Sequence, residues 1–180
     1  GIYLDVIPLA RDAAGHLAVQ GKGTTVEWLV KMKRLPAERM LDAAIAAGTV
    51  TDEHIVAVAR HLARFYRAAE PVERSVETVW GCFAAEHRRN CDLLSSRQFN
   101  LDRQRTDKVL RRMPLALGAA RPLLARRVAD RAIVEGHGDL RPEHVYLGPD
   151  PLVADCLEFN LELRTVDPAD ELAYLVMECE

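Results

Sequence analysis

Two stretches near the start of the chain carry apolar positions in strand-like runs. Residues 2–9 (Ile-Tyr-Leu-Asp-Val-Ile-Pro-Leu) and 25–33 read as strands, separated by turn material at Arg11–His16 and Gly21–Gly23. In the second strand Val26, Trp28, Val30 and Met32 alternate with Glu27, Leu29, Lys31 and Lys33, so at least one face is apolar. Pro36 then opens a short helix that runs to Gly48, Pro and Gly being favoured at those two ends. Thr51 is the expected N-cap of the next helix, with Asp52 and Glu53 complementing its dipole. The apolar stripe of that helix is read as Ile55, Ala59, Leu62, Tyr66 and Ala69, with Arg60, Arg64 and Arg67 off it. A second long helical pattern runs from Val72 to about Leu94 through Val76, Val79, Trp80, Phe83 and His87. Ser95 to Asp107 is polar and reads as a loop. One or two further helices follow, interrupted by Pro114 and Pro122 and ending near Arg127. The remainder changes character: short strands at 132–135, 144–147 and 152–154, turn chemistry at Gly148-Pro-Asp-Pro151, and a helix beginning after Pro168.

Composition narrows the class. Of 180 residues, 49% are hydrophobic and 28% charged, the balance of a soluble globular chain. A formal charge of −3 argues against a nucleic-acid partner, which calls for a basic excess. The apolar runs fall far short of the ~20 residues of a membrane span, and no secretory leader pattern opens the chain. Cys82, Cys91, Cys156 and Cys179 show no C-x-x-C spacing, so neither a zinc ribbon nor a disulfide framework is indicated. A cytoplasmic location without membrane partner is expected. The chain opens at Gly1, without Met, on a strand-like run. It stops inside the helical pattern Asp170–Glu180, and so reads as a piece of a longer protein.

The chemistry concentrates in His137-Gly-Asp-Leu-Arg-Pro-Glu-His144, a hairpin, and then Asp155-Cys-Leu-Glu-Phe-Asn160. This order sets Asp139 and Asp155 on loops flanking the hairpin, close enough to meet in one cleft. Phosphoryl transfer uses such parts: a carboxylate that orients a hydroxyl, and ligands for Mg²⁺ beside the phosphates. By residue type alone, both aspartates could equally cap turns.

The spacing is more specific. It follows the protein-kinase catalytic loop His-Arg-Asp-Leu-x-x-x-Asn except at its last position. Gly138 in place of Arg resembles the small-molecule branch of that superfamily, the aminoglycoside phosphotransferase-like kinases. Asp155-x-x-Glu-Phe-Asn160, Leu163-Arg164, Asp167, Asp170–Leu175, the lead-in Arg126–His137, and the front segments Ile2–Pro8 and Val30–Pro36 are similar to an uncharacterised bacterial branch of that family. The resemblance covers most of the chain, the middle helices contributing little.

The resemblance implies an α+β, protein-kinase-like fold. Residues 1–35 would be the end of an N-lobe sheet with its hinge. Residues 36–180 would be a mostly helical C-lobe, with a catalytic loop at 137–144 and a metal loop at 155–160. It implies an ATP-dependent phosphotransferase acting on a hydroxyl of a small molecule, with ATP and Mg²⁺ as cofactors. Asp139 resembles the catalytic base and Asp155 the metal-binding aspartate. His144 stands where the family has an Asn that holds the second metal. Met32, Lys33 and Leu35 fall on the nucleotide-contacting hinge, and Asp170 on the buried aspartate that braces the catalytic loop. The phosphate-binding Lys and its Glu partner would precede Gly1, in preference to Lys31 or Lys33 behind Gly21-x-Gly23. Mg²⁺ prefers oxygen ligands, whereas Mn²⁺ accepts imidazole more readily. His144 therefore also supports an alternative, a catalytically silent kinase-like domain that binds a ligand or a partner. A helical interaction module, resting on the Arg-rich middle, is the third reading.

Blander roles stand beside these. His137 reads as a loop-fixing residue and Glu158 as a solvated carboxylate. His87 and Cys91 have a zinc-compatible i, i+4 spacing, but two ligands are not a site, and packing of the Cys explains them. His54 and His61 read as surface residues. The pairs Arg88-Arg89, Arg111-Arg112 and Arg126-Arg127 follow from Arg-rich composition.

Overall fold

The computed structural model describes residues 2–180; Gly1, at the head of the first strand-like run, lies outside them. Strands β1 (Tyr3–Arg11), β2 (Leu17–Val19) and β3 (Thr24–Met32) form an antiparallel sheet of order β2-β1-β3. The two long strands fall where the alternation puts them. β2 lies inside the stretch between them and was not anticipated. Val6 pairs with Val30 and Pro8 with Trp28, so these residues share one face. That apolar face is bare: Trp28 is 60% exposed, and Val6, Val26, Val30 and Met32 are exposed with it. The three strands pack chiefly on one another rather than on the helices.

After Pro36 a single 3-10 turn (Ala37–Arg39) leads into α1 (Leu41–Ala46). Thr51 caps α2 (Asp52–Ala68) as expected, and His54 completes a reciprocal capping box, its Nδ1 accepting from the Thr51 N–H. The buried stripe of α2 is displaced from the expected one. Val58 and Leu62 are buried and Tyr66 half-buried, whereas Ile55 and Ala59 face out. Both stripes share Leu62 and Tyr66; what packs against the helix decides which flank is covered.

Val72–Arg74 lie outside the helix, with Pro71 bridged to Val134 and the Val72 N–H bonded to Ile133 O. Helix α3 (Val76–Leu94) starts at the Ser75 cap and α4 (Arg103–Ala129) at the Asp102 cap, leaving a shorter connection than Ser95–Asp107. α4 runs unbroken through Pro114 and Pro122, correcting the expected interruptions. Leu110, Leu117 and Leu124 recur every seventh position on its half-buried side, and α3 packs alongside, holding the helix together across the missing N–H groups.

The remaining elements are short. β4 (Val134–Glu135) pairs with β7 (Thr165–Val166), and β5 (Val145–Tyr146) with β6 (Leu152–Val153). α5 (Leu161–Arg164) precedes β7, and α6 (Pro168–Glu178) closes the fold from its Asp167 cap. Arg127 donates to both Asp167 oxygens, at 2.8 and 2.5 Å, and so fastens the end of α4 to the start of α6.

The core gathers Leu41 and Ala44 of α1, Val58 and Leu62 of α2, and Leu175 of α6 around Leu140, Val145 and Leu147. Leu140 and Val145 are fully buried. Each such side chain contributes about 1.5–3 kcal/mol by leaving water. Between them they pin the polar residues that lie alongside.

Candidate functional site

The His137–His144 loop is held from below by one carboxylate. Glu171, 5% exposed in the first turn of α6, accepts from the His137 N–H at 3.1 Å, from the Gly138 N–H, and from the Tyr66 hydroxyl of α2 at 2.6 Å. Asp170 was the expected brace; it lies at the exposed face of α6, one residue out of register. Glu171 shares its buried face with Leu175 four positions on, and that helical period is the signal in the sequence that distinguishes the two acids.

Two glycines make this approach possible. At Gly136 a Cβ would fall 2.5 Å from Val166 Cγ2 and 2.7 Å from Glu171 Oε2. Gly138 has φ +86° and a Cβ there would lie 2.8 Å from Leu163 O, so neither the backbone nor the space admits a side chain. The Gly at this position of the motif is therefore required by the α5–β7 segment behind it.

His137 ties two loops together. Its Nε2 donates to Ala154 O at 2.7 Å, leaving Nδ1 to accept from the Asp139 N–H at 3.3 Å. The Leu157 N–H returns a bond to His137 O at 3.2 Å. Both ring nitrogens are used, which bears out the loop-fixing role. Arg164, which resemblance alone had singled out, adds a second tie: it donates to Leu157 O at 2.6 Å and to Glu135 Oε1 at 2.7 Å.

His144 stands between the two aspartates. Its Nδ1 is 2.8 Å from the main-chain oxygen of Asp139 and 3.9 Å from Oδ2 of that residue. Its Nε2 is 3.5 Å from Asp155 Oδ2. The ring is largely buried, at 13% side-chain exposure, whereas the Asp155 side chain is 83% exposed and that of Asp139 34%. Asp155 sits at φ +66°, a left-handed conformation that costs a non-glycine residue about 1 kcal/mol or more. A cleft of about 930 Å³ opens between α2 and the 153–158 segment, with Tyr3, Phe65 and Asp155 among its walls. Asp139 lies outside those walls, so the two carboxylates meet across His144 rather than inside one chamber.

The other candidates are scattered. Met32 ends β3 opposite Tyr3, which lines the cleft, and Lys33 donates its N–H to Ile2 O in the connection that also holds the half-buried Leu35. Glu158 lines the cleft and is exposed. Cys91 Sγ is 3.5 Å from His87 Nε2, and among the described residues no three His, Cys, Asp or Glu side chains gather to hold a metal unaided. Among them, too, no helix is long and apolar enough to cross a membrane.

Comparison with known proteins finds relatives without an assigned activity. The uncharacterized proteins Rv2004c of Mycobacterium tuberculosis and Mb2027c of Mycobacterium bovis are each 30% identical to this chain over 183 aligned positions. The alignment takes in 99% of this chain and 34% of each relative, so the chain spans about a third of the length of the curated relatives it matches. No protein-family model matches the chain. No solved structure matches it.

Proposed function

We propose that this chain carries the catalytic and metal-binding segments of an ATP-dependent phosphotransferase, built on a protein-kinase-like framework and acting on a hydroxyl of a small molecule. The observation that carries the reading is the convergence of Asp139, His144 and Asp155 on a loop and hairpin whose backbone is over-determined by Glu171, His137 and Arg164. A site meant only to cap turns has no need of such bracing. Asp139, half-exposed, accepts the proton of the acceptor hydroxyl and orients its oxygen for attack. Asp155 presents an open carboxylate to a divalent cation, a donor suited to Mg²⁺, which takes one or two carboxylates and completes its shell with phosphate oxygens and water. Bound Mg-ATP supplies the phosphoryl group and neutralises charge on the phosphates. Met32, Lys33 and Leu35 contribute the hinge edge of the nucleotide site.

The two aspartates separate in a titration of Mg-ATP into the intact protein. Asp155→Ala is expected to abolish metal-dependent nucleotide binding. Asp139→Ala is expected to leave that binding nearly intact and to lower turnover at least ~100-fold. Equal nucleotide binding by wild type and Asp155→Ala overturns the metal assignment.

A second reading, a silent kinase-like domain, is favoured by one feature: an imidazole stands where an amide oxygen would face the cation. No turnover of a broad panel of alcohols by either wild type or His144→Asn supports that reading.

A further inference from the structure

We infer that the outer face of α4 is a docking surface for an acidic amphipathic helix of a partner protein. The inference does not depend on the phosphotransferase reading, and its failure leaves that reading untouched. Arg-rich composition explains how many arginines the chain has, but not where they stand. Residues 76–129, the span of α3 and α4, hold eleven basic and five acidic side chains, a net of +6. The rest of the chain holds thirteen basic and twenty-two acidic ones, a net of −9. α4 alone sets eight basic side chains against one acid, Asp107, so the charge gathers on a single helix about 40 Å long. Its ion pairs run through Arg105, Arg111, Arg121, Arg126 and Arg127. Lys108 and Arg112 are exposed and have no such partner among the described residues.

Beside those charges lies a bare apolar stripe. Val109, Met113, Ala116, Ala120 and Leu123 recur at alternating steps of four and three, and all are exposed. That spacing makes a seam for a second helix, and the two alanines let its axis come close. The stripe is separate from the half-buried row Leu110, Leu117 and Leu124. Towards the end of α4 it runs into an apolar notch of about 180 Å³, lined by Trp80, Phe83, Leu117 and Leu123. The Arg121 guanidinium overhangs the notch, 5.2 Å from the centre of the Trp80 ring. Such a notch takes one large apolar side chain as an anchor. Arg105, Lys108 and Arg112 follow the stripe along its edge away from α3, where they call for carboxylates on the helix that lies there. A second copy docking by the same face would set these cations against their own kind. A lipid surface draws on exposed aromatic rings at the contact, whereas Trp80 is half-buried in the notch.

The test is the fluorescence anisotropy of a labelled peptide of three heptads, with Leu at a and d, Glu at e and g, and Ala or Gln elsewhere, titrated with the full chain. The peptide's own glutamates keep it from pairing with itself. Binding on the order of micromolar is expected. It should weaken at least about tenfold when Lys replaces Glu in the peptide, and by a similar factor on going from about 0.05 to 0.5 M NaCl. The double variant Lys108→Glu/Arg112→Glu should bind the Glu peptide at least about tenfold more weakly, and Leu123→Gln likewise. All three positions are exposed; should a variant lose its helical circular dichroism, the Lys peptide and the salt series on the wild type decide alone. No binding, binding indifferent to salt and to the sign of the peptide, or unchanged binding by a folded variant overturns the inference. Binding to vesicles of phosphatidylcholine and phosphatidylglycerol with none to the Glu peptide also overturns it, and gives the face to a lipid surface.

Discussion

Glu171 is a carboxylate taken almost completely out of water, a step that costs several kcal/mol unless its oxygens are satisfied. Two loop amides and the Tyr66 hydroxyl satisfy them. The arrangement acts back on Tyr66, whose phenol is pushed far above its ordinary value of 10.0, by burial first and then by the bond to Glu171 and its negative charge. The folded protein therefore keeps a proton that the unfolded chain releases above pH ~10. This contribution to stability is fully present below that pH, begins to fall above it, and is lost as pH rises through the much higher value of the folded protein. Urea midpoints between about pH 8 and pH 11 should fall more steeply for wild type than for Tyr66→Phe. At pH ~7 the same substitution should cost about 1.5–3 kcal/mol, the worth of a hydrogen bond to a charged group. Parallel pH curves would remove the coupling. At this scale the motif residues Asp139, His144 and Asp155 were legible because their spacing is specific. The brace was misplaced by one residue because two adjacent acids in a first turn look alike until one of them is packed.

Among the elements, α4 departs furthest from what its sequence predicts. Prolines at 114 and 122 each remove a backbone donor and crowd the preceding turn, yet the helix passes through both. Packing against α3 and the Arg127–Asp167 pair hold it across the defects. Pro114→Ala and Pro122→Ala should therefore each stabilise the protein, by on the order of 1–3 kcal/mol, since alanine restores the donor and the propensity. A lowered thermal midpoint would instead mean that α3 is fitted to a bend the prolines create. Elements with their own local signals were readable: Thr51 at the head of α2, Pro168 at the head of α6, and the Gly148–Pro151 turn between β5 and β6. The pairing of β4 with β7 was not. Each strand is two residues long, and their partnership depends on the intervening residues 136–164, which no local pattern encodes.

Across the whole molecule the α+β class agrees with what the resemblance implied. Periodicity located the two long strands and most of the long helices, though not β7, one of the short strands that interleave with helices after residue 130. What periodicity could not show is where the apolar faces go. The alternation in β3 marks an apolar face but not what lies against it, and the core forms around the 137–147 segment, with the sheet left chiefly to pack on itself. That division has a consequence in time. The Leu147 N–H, bonded to Arg39 O at 2.7 Å, belongs to a core residue, as does that of nearby Val145, and the amides there are expected to meet solvent deuterium only when the protein unfolds as a whole. The amides that join β1 to β3 need only a local parting of three strands. In hydrogen exchange of the 180-residue chain they should be replaced at least about tenfold faster, a gap of ~1.4 kcal/mol in opening free energy. A sheet that exchanges as slowly as the 137–147 stretch would mean that its bare faces find a cover in solution.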